Sequence, residues 1–201
     1  MRVSEALPTG VTALLFDTAR HRRQLEAQLV ALLEAREHHE VVLPVIDYLD
    51  PYRALMNDAR RGELYPLIDR DGEVLTLRAD FTPMLARLIA PRLASLDLPL
   101  RLFYRGDVLR YQEERAGRQR EFYQVGAELL GLDGADAERE ALHTFADLLD
   151  AVRDGLDARI VIGAAGALDA LLAGHGGDDP QALAAAVVRR EQGVARDAAP
   201  A

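Results

Sequence analysis

Two short stretches hold the residues with the most chemistry to offer. Asp80 and Thr82 sit just upstream of Pro83, and Arg110, Arg118, Gln124 and Glu128 are spread over a charged run in the middle of the chain. Fixed cations, an amide, a hydroxyl and carboxylates suit a small zwitterionic or phosphorylated ligand better than bulk water. Residues 124, 126 and 128 share one face of a strand. Gln124 and Glu128 therefore flank Gly126, where a missing side chain leaves room for a small molecule. Thr82 followed by Pro83 reads as a helix N-cap, and a hydroxyl beside a carboxylate at that point can also hold an ammonium group. For Asp80, a turn-stabilising carboxylate and a ligand contact both stand open.

Other chemistries find no footing. There is no HExxH pattern, glycine-rich phosphate loop or serine elbow, so no catalytic residue and no metal ligand is assigned. His21, His38, His39, His143 and His175 are scattered over expected helix faces and a loop. Adjacent residues on a helix point about 100° apart, so His38 and His39 read as a solvated helix end rather than a metal pair. The absence of cysteine removes disulfides and thiolate sites. No cofactor is expected.

The elements that must position these residues follow from periodicity. Leu100 to Gly131 reads as two long strands, 101–112 and 119–130, joined by an arginine-rich loop. Upstream, Leu25, Leu29, Leu32 and Leu33 recur at helical spacing over Asp17 to Glu37, with Arg22, Arg23, Glu26 and Glu34 facing out. Glu40 to Tyr48 reads as a strand, bent or at an edge because Pro44 cannot donate to a ladder. A partly helical segment with Leu55 and Met56 buried comes next. A hairpin follows, with Leu64–Ile68 and Val74–Leu77 flanking the turn Asp69-Arg70-Asp71-Gly72. Met84, Leu85, Leu88 and Ile89 mark the buried stripe of the helix after Pro83, and the chain returns through Pro91 and Pro99. Beyond the central hairpin, a helix over about 135–152 buries Ala141, Leu142, Phe145, Leu148, Leu149 and Val152. A short strand at Ala158–Ile162 and a short helix at Ala167–Ala173 complete the domain. From Gly174 the pattern thins to a tail, helical over Ala182–Glu191 and otherwise disordered.

Composition bounds the reading. A chain of 201 residues can bury one sizeable core. The net charge is −9, all 24 basic residues are arginine, and no long basic run exists, which argues against a nucleic-acid partner. The first ten residues lack the apolar core of a signal peptide, and no apolar run reaches membrane-spanning length. A cytoplasmic protein is expected.

The run LRYQEERAGRQREFYQVGAELLG resembles the second signature motif of class II aminoacyl-tRNA synthetases, and within that class histidyl-tRNA synthetase. That motif is an antiparallel hairpin whose first strand ends in an arginine on the ATP α-phosphate, and Arg110 falls there. Upstream, Arg-Ala-Asp-x-Thr-Pro stands where synthetases show Arg-Pro-Glu-Gly-Thr. It is similar to the non-catalytic paralogues, the ATP phosphoribosyltransferase regulatory subunits. The resemblance covers roughly residues 7–170. It implies an α+β, class II synthetase-like fold over residues 1–173, a mostly antiparallel sheet flanked by helices, with 174–201 as a tail. It further implies a histidine-binding set of Asp80, Thr82, Arg110, Arg118, Gln124 and Glu128. The glutamine, the upstream acid and the threonine would hold the ammonium group, and the glutamate the imidazole. The first helix with the strand near Pro44 resembles the motif that builds the family's homodimer, although an ordinary helix packed on a sheet needs no dimer.

Departures from the motifs shape the expected function. Gln112 stands where a synthetase has the glutamate that seats adenine, and Asp80 is one methylene shorter than the usual acid. The chain also stops before the third motif with its second ATP-binding arginine, and before an anticodon domain, as a C-terminally truncated core would. ATP activation needs charge neutralised from both sides, so a full synthetase is not expected. The resemblance implies instead a non-catalytic regulatory subunit in a hetero-octamer with the short-form catalytic ATP phosphoribosyltransferase, with L-histidine as effector, at the first step of histidine biosynthesis. A fragment or paralogue of histidyl-tRNA synthetase that adenylates histidine, and a degenerate dimerisation module without ligand, are the alternatives.

Overall fold

A computed structural model describes residues 7–56, 58–112, 119–163, 166 and 170. Helix α1 (Phe16–Ala35) turns Leu33 fully inward and half-buries Leu25, Leu29 and Leu32, the stripe its periodicity predicts. Glu26 departs from that pattern. Expected outside, it is 5% exposed, drawn inward by Arg105 and the Tyr123 phenol on the sheet below.

The stretch expected as one strand over Glu40–Tyr48 is two, β1 (His39–Glu40) and β2 (Ile46–Tyr48). The bend foreseen at Pro44 separates them and sends each into a different sheet, because proline cannot continue a ladder. In the first sheet β1 runs parallel to β5 (Leu100–Leu109), which pairs antiparallel with β6 (Glu121–Leu130) from Leu100 opposite Leu130 to Leu109 opposite Glu121. In the second, β4 (Val74–Leu77) lies between β2 and β3 (Pro66–Ile68), antiparallel to both. Arg78, which follows β4 and is buried, ties the two sheets together. It donates to the Leu43 carbonyl at 2.7 Å and the Pro44 carbonyl at 3.1 Å, and to Asp107 O on β5 at 2.8 Å. A side chain thus satisfies backbone acceptors that the bend takes out of the ladder.

The β3–β4 turn forms as its residues require. Gly72 sits at φ 85° and donates to Asp69 O at 3.0 Å, while the Asp69 carboxylate accepts from the Arg70 N–H at 2.7 Å. Helices α2 (Leu49–Leu55) and α3 (Asp58–Arg61) precede it. Met56 is buried as expected, but Leu55 is exposed: α2 ends there, and the extended backbone at Met56 turns only the second side chain inward. Helix α4 (Thr82–Ile89), followed by a 3-10 segment (Ala90–Ser95), covers one face of the β5–β6 hairpin. The core on that side gathers Tyr52, Phe81, Met84, Leu85, Leu102, Tyr104 and Val108.

Helix α5 (Gly134–Val152) packs against α1. Its expected apolar stripe is only partly covered, with Leu142 and Phe145 exposed. The helix is rolled so that Thr144, reached by Arg36 at the end of α1, is its buried residue. The strand expected at Ala158–Ile162 does not form: these residues join no sheet, and Val161 is 85% exposed. A β-branched run becomes a strand only where another backbone pairs with it. The chain groups into two units, Met1–Leu156 and Asp157–Ala201. The expected helix at 167–173 is described only at residue 170, and the tail with its helix at 182–191 lies outside the described residues. No helix among the described residues is long and apolar enough to cross a membrane.

Candidate functional site

Ladder register decides which side chains meet. On the α4 side of the hairpin, Leu102, Tyr104, Gly106 and Val108 of β5 stand opposite Glu128, Gly126, Gln124 and Phe122 of β6. Alternation puts all eight on one face. The α4 N-terminus adds the strand-to-helix corner 78–82 above them.

Thr82 does not cap its helix. Phe81 occupies the N-cap position and Thr82 is the first helical residue, so its hydroxyl is released to cross to the sheet. It donates to Glu128 Oε1 at 2.7 Å and lies 3.3 Å from the Tyr104 hydroxyl, which itself donates to Glu128 Oε1 at 3.2 Å. Burial, reinforced by the Glu128 charge, pushes the Tyr104 phenol up to about 12, which keeps it a donor at neutral pH. Both donors converge on one oxygen, and Oε2 of Glu128 has no hydrogen-bond partner among the described residues. Beside the carboxylate lies a cavity of about 170 Å³ under α4, walled by Leu85, Ile89, Leu93 and Leu130 with Thr82 and Glu128 at its polar end.

Of the two readings that the sequence left open for Asp80, the structure shows the turn-stabilising one, with the second oxygen turned to arginines of the chain itself. Oδ1 accepts the Thr82 N–H at 3.3 Å, which sets the turn, and Oδ2 accepts from Arg60 at 3.3 Å and Arg110 at 3.4 Å. Arg110 also donates from Nε to the Ala79 carbonyl at 2.8 Å, and its guanidinium sits 5.2 Å from the Phe122 ring centre. Asp80, Thr82, Arg110 and Glu128 are thereby linked at one corner. Gln124 is half-buried on the same face, four residues from Glu128 and opposite Gly106. Arg118 lies outside the described residues.

Gly126 has a different purpose from the one its position suggested. A Cβ there would stand 2.5–2.6 Å from the Tyr104 ring, so the space is taken by the protein's own phenol. Tyr104 stacks on Phe81 (centroids 4.3 Å apart, 7° between planes), and Arg78 lies 4.0 Å over the other side of Phe81. Gly106 lets that guanidinium approach, since a Cβ would meet Arg78 Nη2 at 2.7 Å. This Arg78–Phe81–Tyr104 stack is the part of the site that strand periodicity missed. The only sequence signal for it was the pair of glycines, Gly106 and Gly126, inside otherwise regular strands.

The other side of the hairpin is built differently. Glu26 of α1 accepts Arg105 and Tyr123 on Oε1, both at 2.5 Å, and Arg23 on Oε2 at 2.6 Å. Arg105 also donates to Glu40 at 2.7 Å. His38, expected as a solvated helix end, is 5% exposed beneath α5, and Nδ1 donates to the Arg36 carbonyl at 3.1 Å. His39 is exposed, and no metal-binding cluster of acids and histidines exists among the described residues.

Comparison with known proteins adds to this geometry. Residues 10–199 match a family model described as histidyl-tRNA synthetase. A protein of Symbiobacterium thermophilum named ATP phosphoribosyltransferase regulatory subunit is 41% identical over 192 residues, 95% of this chain and 47% of its own. A protein of the same name from Moorella thermoacetica is 41% identical over 136 residues, 68% of this chain and 35% of its own. Among solved structures, an ATP phosphoribosyltransferase regulatory subunit/histidyl-tRNA synthetase of Bacillus halodurans superposes with a TM-score of 0.76 at 27% identity, covering 89% of this chain and 46% of that one. Apo histidyl-tRNA synthetase of S. aureus, with a TM-score of 0.61 at 23% identity over 73% of this chain and 34% of its own, shares the fold. The chain spans less than half the length of these relatives.

Proposed function

The chain belongs to the histidyl-tRNA synthetase family, and we propose that it acts as a non-catalytic regulatory subunit of ATP phosphoribosyltransferase, in the cytoplasm, at the first step of histidine biosynthesis. The curated relatives cited above carry that name, and the α+β class II synthetase-like fold is shared with them. In this reading the chain binds the short-form catalytic subunit in a hetero-octamer and passes on feedback inhibition by histidine. That role needs a coupling free energy between two sites, typically ~1–3 kcal/mol, and no bond-making by this chain.

The observation that carries the proposal is the half-satisfied Glu128. Thr82 and Tyr104 both donate to Oε1, which fixes the carboxylate and leaves Oε2 open to an imidazole N–H beside a small apolar cavity. Asp80 and Gln124 are the candidates for the ammonium group. Arg110, held by Asp80 and the Ala79 carbonyl, shapes the corner rather than waiting for a triphosphate, and Arg118 completes the proposed set. A homodimer through α1 and the strand near Pro44 is part of the same proposal. Val42, Val45, Ile46 and Tyr48 in that stretch expose apolar side chains, a feature that subunit contacts use. The synthetase-like domain is taken to run to about residue 173.

Thermal unfolding with and without millimolar histidine tests the site, because a ligand that binds the native state raises stability by mass action. A rise in midpoint with histidine, absent in Gln124→Ala and Glu128→Ala, is expected. No shift in the native chain would remove the effector role. Activation of purified short-form catalytic subunit by this chain tests the partnership. Histidine- and ATP-dependent pyrophosphate exchange would instead support the adenylating reading.

A further inference from the structure

A second cavity lies on the opposite side of the β5–β6 hairpin, between α5 and β6, with a volume of about 190 Å³. Val125, Ala127 and Leu129 form its floor, and Ala141, Phe145 and Leu148 its roof. The space is a cleft open at its rim, where Phe145 is 53% exposed, and its volume exceeds the ~150 Å³ of apolar space that holds benzene, so it takes a ring-sized molecule.

The polar groups around it are not equally available. Glu140 is held by Arg101 through two bonds, at 2.5 and 2.9 Å, and Thr144 accepts Arg36 at 3.4 Å, while Asp147 is also paired with Arg36. His38 is the exception. It lines the cavity at 5% exposure, and its Nδ1 faces a carbonyl, which can only accept, so Nδ1 carries the proton. Nε2 is then a bare acceptor, with no partner among the described residues. An unmatched acceptor among apolar walls favours an occupant that donates to it. Glu140 is already matched by Arg101, Glu128 borders the space from β6 but turns its carboxylate to Thr82 and Tyr104 on the α4 face, and the remaining walls are apolar, so an ionic occupant is disfavoured.

We propose that the cavity between α5 and β6 binds a small uncharged ring-bearing molecule that donates one O–H or N–H to His38 Nε2. This space lies across β6 from the histidine pocket proposed under α4, and Glu128 borders both.

Phenol and toluene, titrated into the 201-residue chain and followed by amide chemical shifts, test the proposal. Both are expected to bind saturably, with the largest shifts in β6 and α5. His38→Phe removes the acceptor and should weaken phenol by about tenfold, the worth of one buried hydrogen bond, while toluene is retained. Ala141→Leu fills the space and should abolish both, and Thr82→Val, on the other face, should leave both unchanged. Absence of saturable binding to the native chain, or phenol binding untouched by His38→Phe, would overturn the assignment.

Discussion

Two glutamates on opposite faces of one hairpin, Glu26 buried and Glu128 half-buried, show the difference between a carboxylate that holds a fold together and one that can receive a ligand. Glu26 has both oxygens occupied, by Arg105, Tyr123 and Arg23. Glu128 has two donors on a single oxygen and its second oxygen open beside a cavity. Burying a charge is expensive, and full pairing offsets that expense. Glu26 is the saturated case and joins α1 to β5 and β6. At Glu128 the saturation stops one bond short. The lesson is that an acid's spare acceptor capacity, rather than its burial, marks it as a site.

The largest effect should come from breaking the saturated side. Glu26→Ala leaves Tyr123 and Arg23 without their carboxylate and Arg105 with Glu40 alone, and should cost about 3 kcal/mol, read from the denaturant midpoint. The same acid predicts an acid limb. Burial alone would raise its pKa, but hydrogen bonds from Tyr123, Arg23 and Arg105 outweigh burial and hold it below the ordinary 4.5. A depressed carboxylate contributes stability that is complete above pH 4.5 and is lost as pH falls through the folded value. Glu26→Gln should flatten that limb, and an unchanged acid profile would mean the network is not stabilising.

Glu26 also shows where the sequence was legible and where it was not. Helical spacing placed Leu33 inside correctly and by the same rule put Glu26 outside. Periodicity counts a charged residue as polar and cannot see that three partners, up to 97 residues away, converge on it. The hairpin, the β3–β4 turn and the break at Pro44 were all legible because their signals are local. His38 and the strand expected at 158–162 were not, because burial and strand pairing depend on distant backbone. At the site, Thr82 was legible as chemistry but its competing role as a cap was not resolved until Phe81 took that position.

Next in size is a test of the packing behind the open side. Gly126→Ala drives a methyl into the Tyr104 ring, which has Phe81 stacked behind it, and such overpacking costs roughly 1–3 kcal/mol. A thermal midpoint within error of the native chain would show that the ring moves freely and that the Tyr104–Glu128 bond is not fixed. Smaller again is Thr82→Val, which removes one donor to Glu128 and should cost only about 1 kcal/mol. Its value lies in the contrast. The comparison between the two glutamates requires Thr82→Val to reduce a histidine-induced midpoint shift far more than it reduces stability itself, whereas Glu26→Gln should do the reverse.

The gentlest effect concerns His38, which belongs to the scaffold side yet keeps an open nitrogen. Burial, aided by the Arg101 charge on β5, lowers its pKa from 6.5, against the opposing pull of the Arg36 carbonyl at the end of α1 and of Glu140 on α5. A histidine held neutral in the fold lets the unfolded chain take up its proton first, so stability is complete above pH 6.5 and begins to fall below it, well before the Glu26 limb starts. Stability measured by denaturant across pH 5 to 8 should show this shallow early decline, and His38→Phe should remove it. If phenol occupies the cavity by donating to Nε2, saturating phenol should deepen the decline, because protonation of that nitrogen then also expels the ligand. A decline of equal depth with and without phenol would place Nε2 outside the cavity and return His38 to the saturated class alongside Glu26.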